Sequence, residues 1–117
     1  PAAYVSEVLN VVGEVEGRDC VLADDMIDTA GTVSEGARAL KNLGASRVFV
    51  CATHALLSGP AKQRLMEAPI EGVIVTDTIY TPPEKRFEKL TILSVGELLA
   101  KAVRFTHHEQ SVSSLFD

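Results

Sequence analysis

The sequence contains only two cysteines, Cys20 and Cys51, among its 117 residues. Both lie in or beside apolar runs, which favours buried thiols in a reducing compartment over a disulfide or a redox pair. Basic residues are also scarce, since 11 lysines and arginines stand against 16 aspartates and glutamates. The resulting net charge of −5 argues against a nucleic-acid-binding surface. If the chain binds phosphate, we expect local backbone geometry to provide the affinity.

Long apolar runs and recognisable targeting signals are missing as well. No apolar stretch approaches the length of a transmembrane helix and no secretory signal opens the sequence, so we expect a cytoplasmic protein without membrane contact. The sequence lacks the ligand spacing of a metal site, a Ser-His-Asp signature and the lysine-containing phosphate-binding loop. With 46% hydrophobic and 23% charged residues, residues 1–117 are predicted to form one globular domain.

Short apolar runs rich in β-branched residues alternate with helical patterns along the chain. The predicted strands cover residues 4–12, 20–23, 47–53, 72–76 and 90–93. The first two are expected to form an antiparallel hairpin, and the continuously apolar second one to be buried on both faces. Three helices are predicted. The first has an apolar face of Val33, Ala37, Leu40 and Leu43 and ends at Gly44, and the second covers residues 61–66 and ends before Pro69. The third has Ser94 as its N-cap and an apolar face of Val95, Leu98, Leu99, Ala102 and Val103.

This order of elements predicts an α/β fold in which a parallel sheet is flanked by helices, with the hairpin at its N-terminal end. In open sheets of this kind, ligands bind at the carboxyl ends of the strands. Three of the predicted strands end in polar side chains, namely Asp24-Asp25, Thr53-His54 and Thr76-Asp77. The pattern therefore brings these residues to one edge of the sheet, where we expect the functional site.

The stretch that follows the short strand at residues 20–23 holds most of the candidate site. It comprises Asp24, Asp25, Asp28, Thr29, Ala30, Gly31 and Thr32, and a helical pattern follows at once. At such a strand–loop–helix junction, backbone N–H groups donate to phosphate oxygens and the helix dipole favours the anion. Gly31 would allow close approach and unusual backbone angles, while the hydroxyls of Thr29 and Thr32 could donate further hydrogen bonds. A surface turn in which Thr and Asp cap a helix is the simpler alternative.

The three carboxylates of this stretch repel phosphate and therefore need a different partner. The vicinal hydroxyls of a ribose fit, and so does Mg²⁺ held by carboxylate oxygens. A loop with phosphate-binding groups at one end and carboxylates at the other describes a site for ribose 5-phosphate.

The same stretch resembles the phosphoribosyl-diphosphate loop of the type I phosphoribosyltransferase superfamily. With Met26 and Ile27 between the acids, it is similar to the loop of ribose-phosphate pyrophosphokinases, also called phosphoribosyl diphosphate synthases. Further segments agree in order along the chain: Ala52-Thr53-His54, Ser58-Gly59-Pro60-Ala61, Val75-Thr76-Asp77-Thr78-Ile79 and Ser111-Val112-Ser113-Ser114-Leu115-Phe116. The resemblance covers essentially the whole chain and matches the C-terminal half of these two-half enzymes.

The resemblance implies an activity and assigns parts of the site. Such enzymes transfer diphosphate from Mg·ATP to the anomeric hydroxyl of ribose 5-phosphate and release AMP. It implies that Asp24 and residues 28–32 hold ribose 5-phosphate, that Asp25 belongs to the same sugar-facing pair, and that Ala30 replaces the Gly or Cys of many relatives. The resemblance further implies a homo-oligomer. It implies that the catalytic Lys and Arg precede Pro1. The groups that bind ATP and the principal metal ions would come mostly from the other half or from a neighbouring subunit.

The last segment of the chain resembles the family's part of an inter-subunit effector site for phosphate and ADP. It comprises Ser111, Val112, Ser113, Ser114, Leu115 and Phe116. The alternative is a C-terminal plug in which Leu115 and Phe116 cover the core. We expect His54, His107 and His108 to be structural rather than catalytic. Asp77 either lines the site or belongs to a turn at the end of a strand.

Two other functions stay open. A phosphoribosyltransferase, which consumes phosphoribosyl diphosphate, would share the loop but not the Ser58-Gly59-Pro60 segment or the last segment, and this argues against it. A non-catalytic associated or regulatory subunit would keep only the sugar-phosphate site. Because no Lys or Arg lies within the loop, the sequence that precedes Pro1 would decide between a catalytic and a non-catalytic protein.

Overall fold

The computed structural model describes residue 11 and residues 13–116. Four parallel strands form one sheet in the order β1-β2-β3-β4. The strands are β1 (Asp19–Ile27), β2 (Arg47–Ala55), β3 (Gly72–Thr76) and β4 (Leu90–Leu93). The helices are α1 (Gly31–Asn42), α2 (Ala61–Glu67) and α3 (Gly96–His107), and 3₁₀ helices cover Pro83–Lys85 and Val112–Phe116. The predicted α/β fold is confirmed, whereas the strand expected at residues 4–12, and with it the hairpin, falls almost wholly outside the described residues.

The core lies between one face of the sheet and the first two helices. Leu22 pairs with Val50, Val50 with Val73 and Val73 with Leu90, so these four side chains share one face. Val50 and Val73 are fully buried. The helices contribute Val33, Ala37 and Leu40 from α1 and Ala61 and Leu65 from α2. The helical face predicted for α1 is therefore confirmed.

The opposite face of the sheet is less covered. Phe49, Cys51 and Ile74 are half-buried there, and Val21 on β1 is 60% exposed. The expectation that residues 20–23 are buried on both faces is wrong. An unbroken apolar run is typical of an interior strand, but β1 is an edge strand of the described sheet, and its Val21 face stays open.

The first strand is longer than its apolar run. Residues 20–23 were the predicted strand, whereas β1 continues through Asp24 and Asp25 to Ile27. Ile27 is 1% exposed and pairs with Ala55 at the end of β2. Pairing with β2 and burial of Ile27 thus extend the strand across polar residues, and Asp24 and Asp25 lie within β1 rather than beyond it.

The connection after α1 follows the prediction. Gly44 has a φ of +97°, a left-handed conformation that glycine adopts without a Cβ clash. Its N–H donates to the carbonyl oxygen of Lys41, and the N–H of Ala45 donates to that of Leu40. These bonds satisfy carbonyl groups of the last turn and end the helix there.

The last helix has the predicted amphipathic pattern but no buried residue. Leu99 and Val103, which the pattern assigned to an apolar face, are both exposed. Its N-cap is Val95 rather than Ser94, although the Ser94 hydroxyl accepts a hydrogen bond from the N–H of Gly96 over 3.1 Å. Within the described ranges, no helix is long and apolar enough to cross a bilayer.

Candidate functional site

The backbone N–H groups of Gly31, Thr32 and Val33 lie at the start of α1, where the loop from β1 enters the helix, and we call them the α1 cradle. Ala30 precedes the helix with φ 66° and ψ 14°, and the N–H of Ser34 donates to its carbonyl oxygen over 3.1 Å. The helix geometry leaves the N–H groups of Gly31, Thr32 and Val33 without an acceptor inside α1. No acidic residue occupies the first turn of α1. This helix end can therefore receive an anion.

The residue with unusual backbone angles is Ala30 and not Gly31. The sequence favours Gly31 for such angles, because glycine adopts a positive φ without a Cβ clash. Gly31 is absent from the residues with positive φ and begins α1. Its missing side chain serves close approach instead, since a Cβ atom there would lie 3.3 Å from Nη1 of Arg64.

A second loop is hydrogen-bonded to the first. The N–H groups of Leu56 and Leu57 both donate to the carbonyl oxygen of Ile27, over 3.0 and 3.1 Å. The N–H of Ser58 donates to the carbonyl oxygen of Asp28 over 2.8 Å. Leu57 accepts a φ of 51° and is only 2% exposed, so its side chain anchors this loop in the core. Residues 56–58 thus hold the start of the loop that follows β1.

Helix α2 brings a cation to the same place. Arg64 donates from Nη1 to the carbonyl oxygen of Thr29 over 3.2 Å. The two residues lie 35 positions apart in the sequence. Sequence reasoning found no Lys or Arg within the loop and missed this one, because only the packing of α2 beside α1 brings it there.

The carboxylates of Asp24, Asp25 and Asp28 are all exposed. Asp24 Oδ1 accepts a hydrogen bond from the N–H of Asp25 over 2.8 Å. Asp24 and Asp25 are consecutive residues of β1, and both are exposed. Across the described residues, no group of three His, Cys, Asp or Glu side chains could hold a metal ion. Mg²⁺ that is bound to substrate phosphates could be completed by carboxylate oxygens of this stretch.

Polar side chains at the ends of β2 and β3 meet, as the strand order predicted. The hydroxyl of Thr76 donates to the carbonyl oxygen of Thr53 over 2.6 Å, and that of Thr78 donates to the same oxygen over 3.2 Å. His54 Nδ1 lies 2.8 Å from the Thr78 hydroxyl. This bond supports the structural role expected for His54. Thr78 had no assigned role in the sequence analysis, and no local pattern marks it.

Asp77 belongs to a turn rather than to the cradle. Its Oδ1 accepts the N–H of Val95 over 2.8 Å, which ties the end of β3 to the start of α3. This bond, together with one from Ser94, lowers the pKa of the Asp77 carboxyl below its ordinary value of 3.8. The strand-end interpretation of Asp77 is therefore supported.

The remaining residues singled out in the sequence lie away from the loop. The last segment forms a 3₁₀ helix that packs against α3, with the hydroxyls of Ser111 and Ser113 2.8 Å apart. Phe116 is 71% exposed, so it does not plug the core, whereas Leu115 is half-buried. The rings of His107 and His108 contact edge to face at the end of α3. Cys20 and Cys51 are free thiols and are half-buried rather than fully buried.

A cavity of about 380 Å³ lies at the opposite edge of the sheet and is not the candidate site. Two lysines in its lining are engaged by backbone carbonyl groups. Lys89 donates to the carbonyl oxygens of Met66 and Ala68, and Lys41 donates to that of Ser46. The contacts of Lys89 are those of a side chain that neutralises a helix C-terminus, because Met66 and Ala68 lie at the end of α2.

Comparison with known proteins places this geometry in a family. The model of the phosphoribosyl synthetase-associated domain matches residues 3–117. The chain belongs to that family. The resemblance drawn from the loop and the four further segments is thereby confirmed.

Relatives of this domain carry a consistent name. The chain is 58% identical to the ribose-phosphate pyrophosphokinase of Synechococcus elongatus, over 98% of this chain and 35% of that protein. It is 49% identical to the enzyme of the same name from Caldanaerobacter subterraneus, over 99% of this chain and 37% of that protein. The structure is similar to phosphoribosylpyrophosphate synthetase from Mycobacterium smegmatis, with a TM-score of 0.81 and 46% identity over 84% of this chain and 33% of that chain. The domain therefore spans about a third of the length of the relatives it matches.

Proposed function

We propose that this chain binds ribose 5-phosphate through Asp24 and the loop that leads into α1. It does so as the C-terminal half of a ribose-phosphate pyrophosphokinase, which transfers diphosphate from Mg·ATP to ribose 5-phosphate and releases AMP. The observation that carries the proposal is the set of N–H groups at Gly31, Thr32 and Val33 that have no acceptor inside α1, with exposed carboxylates on the strand that leads into the loop. The names of the relatives support the choice of substrate.

The two ends of the loop bind different parts of the ligand in this proposal. The N–H groups of residues 29–33 and the hydroxyls of Thr29 and Thr32 hold the 5-phosphate, because they can donate hydrogen bonds to its oxygens. Asp24 and Asp25 accept hydrogen bonds from the sugar hydroxyls, because an ionised carboxylate is an acceptor only. This arrangement keeps the carboxylates away from the phosphate and fixes the orientation of the sugar.

The chain's own residues contribute positioning to the transfer step. Holding the sugar at both ends presents its anomeric oxygen in one direction and lowers the entropic cost of reaching the diphosphate donor. Mg²⁺, when bound with ATP, supplies the positive charge that the moving phosphoryl groups require. The groups that bind ATP, and the catalytic Lys and Arg, belong in this proposal to residues outside the chain.

Calorimetric titration of the chain with ribose 5-phosphate and with ribose tests the proposal. Ribose 5-phosphate is expected to bind and ribose to bind far more weakly, because the phosphate end of the loop provides most of the hydrogen bonds. A parallel assay for AMP release from ATP and ribose 5-phosphate is expected to give no product. No binding would overturn the ligand assignment, and AMP release by the chain alone would overturn the division of labour.

The effector role of the last segment remains a proposal. Ser111, Ser113 and Ser114 already bond to one another, so an incoming phosphate or ADP would have to replace these bonds or use groups of a second subunit. The homo-oligomer that such a site requires is likewise part of the proposal. Phosphate binding that persists in Gly31→Val, the variant that crowds the start of α1, but disappears in Ser113→Ala would support the effector role.

A further inference from the structure

Arg64 is a cation in contact with the loop and has unused hydrogen-bonding capacity. Of the five N–H groups of its guanidinium, one donates to the Thr29 carbonyl oxygen over 3.2 Å. The side chain has no other hydrogen bond in residues 13–116, and Arg64 is exposed. The ion pairs of the same residues join Arg18 to Glu14, Arg47 to Asp19 and Lys101 to Glu97. The guanidinium thus has no carboxylate partner in the described part of the chain.

We propose that Arg64 binds the 5-phosphate of ribose 5-phosphate together with the α1 cradle. The inference rests on the function proposed above and deepens it. One N–H of the guanidinium stays on the Thr29 carbonyl oxygen, and neighbouring N–H groups donate to a phosphate oxygen. The planar guanidinium suits this double role, because its donors point in fixed directions and match phosphate geometry.

The charge balance around the loop supports this role. The chain carries a net charge of −5, and three carboxylates, those of Asp24, Asp25 and Asp28, lie in the last part of β1 or in the loop that follows it. A phosphate dianion that approaches them is repelled unless a cation stands nearby. The sequence places no Lys or Arg within residues 24–32, and α2 provides one through Arg64.

Gly31 makes room for this arginine. A Cβ atom at position 31 would meet Arg64 Nη1 at 3.3 Å, so the guanidinium would have to move by a few tenths of an ångström to accommodate it. A glycine at the first position of α1 therefore allows the cation and the helix end to face the same ligand. The geometry links the two residues, so substitutions at them should not be additive.

The test compares Arg64→Gln, Arg64→Lys and Lys62→Gln by calorimetric titration of ribose 5-phosphate and inorganic phosphate. Gln keeps a donor for the Thr29 carbonyl oxygen but has no charge. Arg64→Gln therefore distinguishes the hydrogen bond to Thr29 from the contact with the phosphate. We expect Arg64→Gln to weaken both ligands by about tenfold or more, the effect of losing a charge-assisted bond. Arg64→Lys should lose less. Lys62 lies on the same helix and donates to the carbonyl oxygen of Glu84, so Lys62→Gln is the matched control and should change binding by less than about twofold.

Salt dependence distinguishes phosphate binding from a purely structural role. The ratio of wild-type to Arg64→Gln affinity should shrink as ionic strength rises, because salt screens a charge–charge contact. In a double-mutant cycle, Gly31→Ala should weaken binding less in the Arg64→Gln background than in the wild type. Both results support the inference.

The outcomes separate this inference from the proposed function. If the wild-type chain does not bind ribose 5-phosphate, the proposed function fails. If the wild type binds and Arg64→Gln binds equally well, the proposed function stands and the role of Arg64 is overturned. A loss of affinity in Arg64→Gln that is independent of salt and accompanied by a lower melting temperature would also overturn it, since Arg64 would then only hold the loop in shape.

Discussion

The N–H of Ser58 donates a hydrogen bond to the carbonyl oxygen of Asp28 over 2.8 Å. This bond joins the loop after β2 to the loop after β1, next to the two bonds that Ile27 accepts from Leu56 and Leu57. Lys85 reinforces the same region by donating to the carbonyl oxygen of Leu56 over 2.9 Å. Three of these four hydrogen bonds join backbone groups, so the position of the candidate phosphate loop depends little on side-chain identity.

Replacement of Gly31 by Val should abolish most phosphate binding. The branched side chain would press on the Arg64 guanidinium, which lies 3.3 Å from the position of a Cβ atom, and would crowd the space above the helix end. We expect the affinity for ribose 5-phosphate to fall at least tenfold, or about 1.4 kcal/mol. Gly72→Val is the matched control, because Gly72 begins β3 at the opposite edge and its Cβ would meet only Phe49, at 3.4 Å. Equal affinities in the two variants would place the phosphate elsewhere.

The contribution of Asp77 to stability should depend on pH. Its pKa is lower in the folded chain than in the unfolded one, mainly because the N–H of Val95 donates to the carboxylate. The charged form therefore stabilises the fold above the unfolded pKa, and this contribution is lost as pH falls through the folded pKa. Asp77→Asn keeps an acceptor oxygen but removes the charge, so it should melt at a lower temperature than the wild type at neutral pH. Melting curves recorded down to about pH 2 should show the difference shrinking below the ordinary pKa of 3.8; a constant difference would contradict the role of the charge.

Asp24 and Thr29 should affect the two ligands differently. Asp24→Asn keeps an oxygen that can accept the N–H of Asp25, so the strand should keep its shape. It should weaken ribose 5-phosphate, which presents vicinal hydroxyls, and leave inorganic phosphate unchanged or slightly better bound, since a repelling charge is gone. Thr29→Val should weaken both ligands by about 1 kcal/mol, the net contribution of a hydrogen bond. Titrations at fixed salt and Mg²⁺ check this, and equal weakening of both ligands by Asp24→Asn would mean that the carboxylate only shapes the loop.

Local patterns predicted those elements whose ends are set by nearby residues. The bounds of β3 and β4 agree with the prediction, because each is a short β-branched run between polar or turn-forming residues. The end of α1 followed from Gly44, which has the positive φ that a helix end commonly requires. The polar half of β1 was missed because pairing with β2 outweighs the low strand propensity of Asp24 and Asp25.

The parts of the site that depend on packing could not be read from the sequence. Arg64 reaches Thr29 only because α2 turns Ala61 and Leu65 into the core and leaves Arg64 on the side of the loop. Ala30 takes the left-handed conformation although a glycine stands next to it, and no sequence pattern distinguishes these two positions. The periodicity of α3 identified an apolar side but could not say whether another element covers it.

Amide chemical-shift mapping of the chain during titration with ribose 5-phosphate shows whether the phosphate binds at the start of α1. Each backbone N–H reports on its own surroundings, so the method locates the ligand as well as detecting it. We expect saturable shifts concentrated at the backbone N–H signals of residues 29–33 and at the side-chain N–H signal of Arg64 in the same spectra, with inorganic phosphate shifting the same loop amides. Shifts that are absent from this loop, or that are confined to Val112–Phe116, would contradict the assignment of the phosphate to the start of α1.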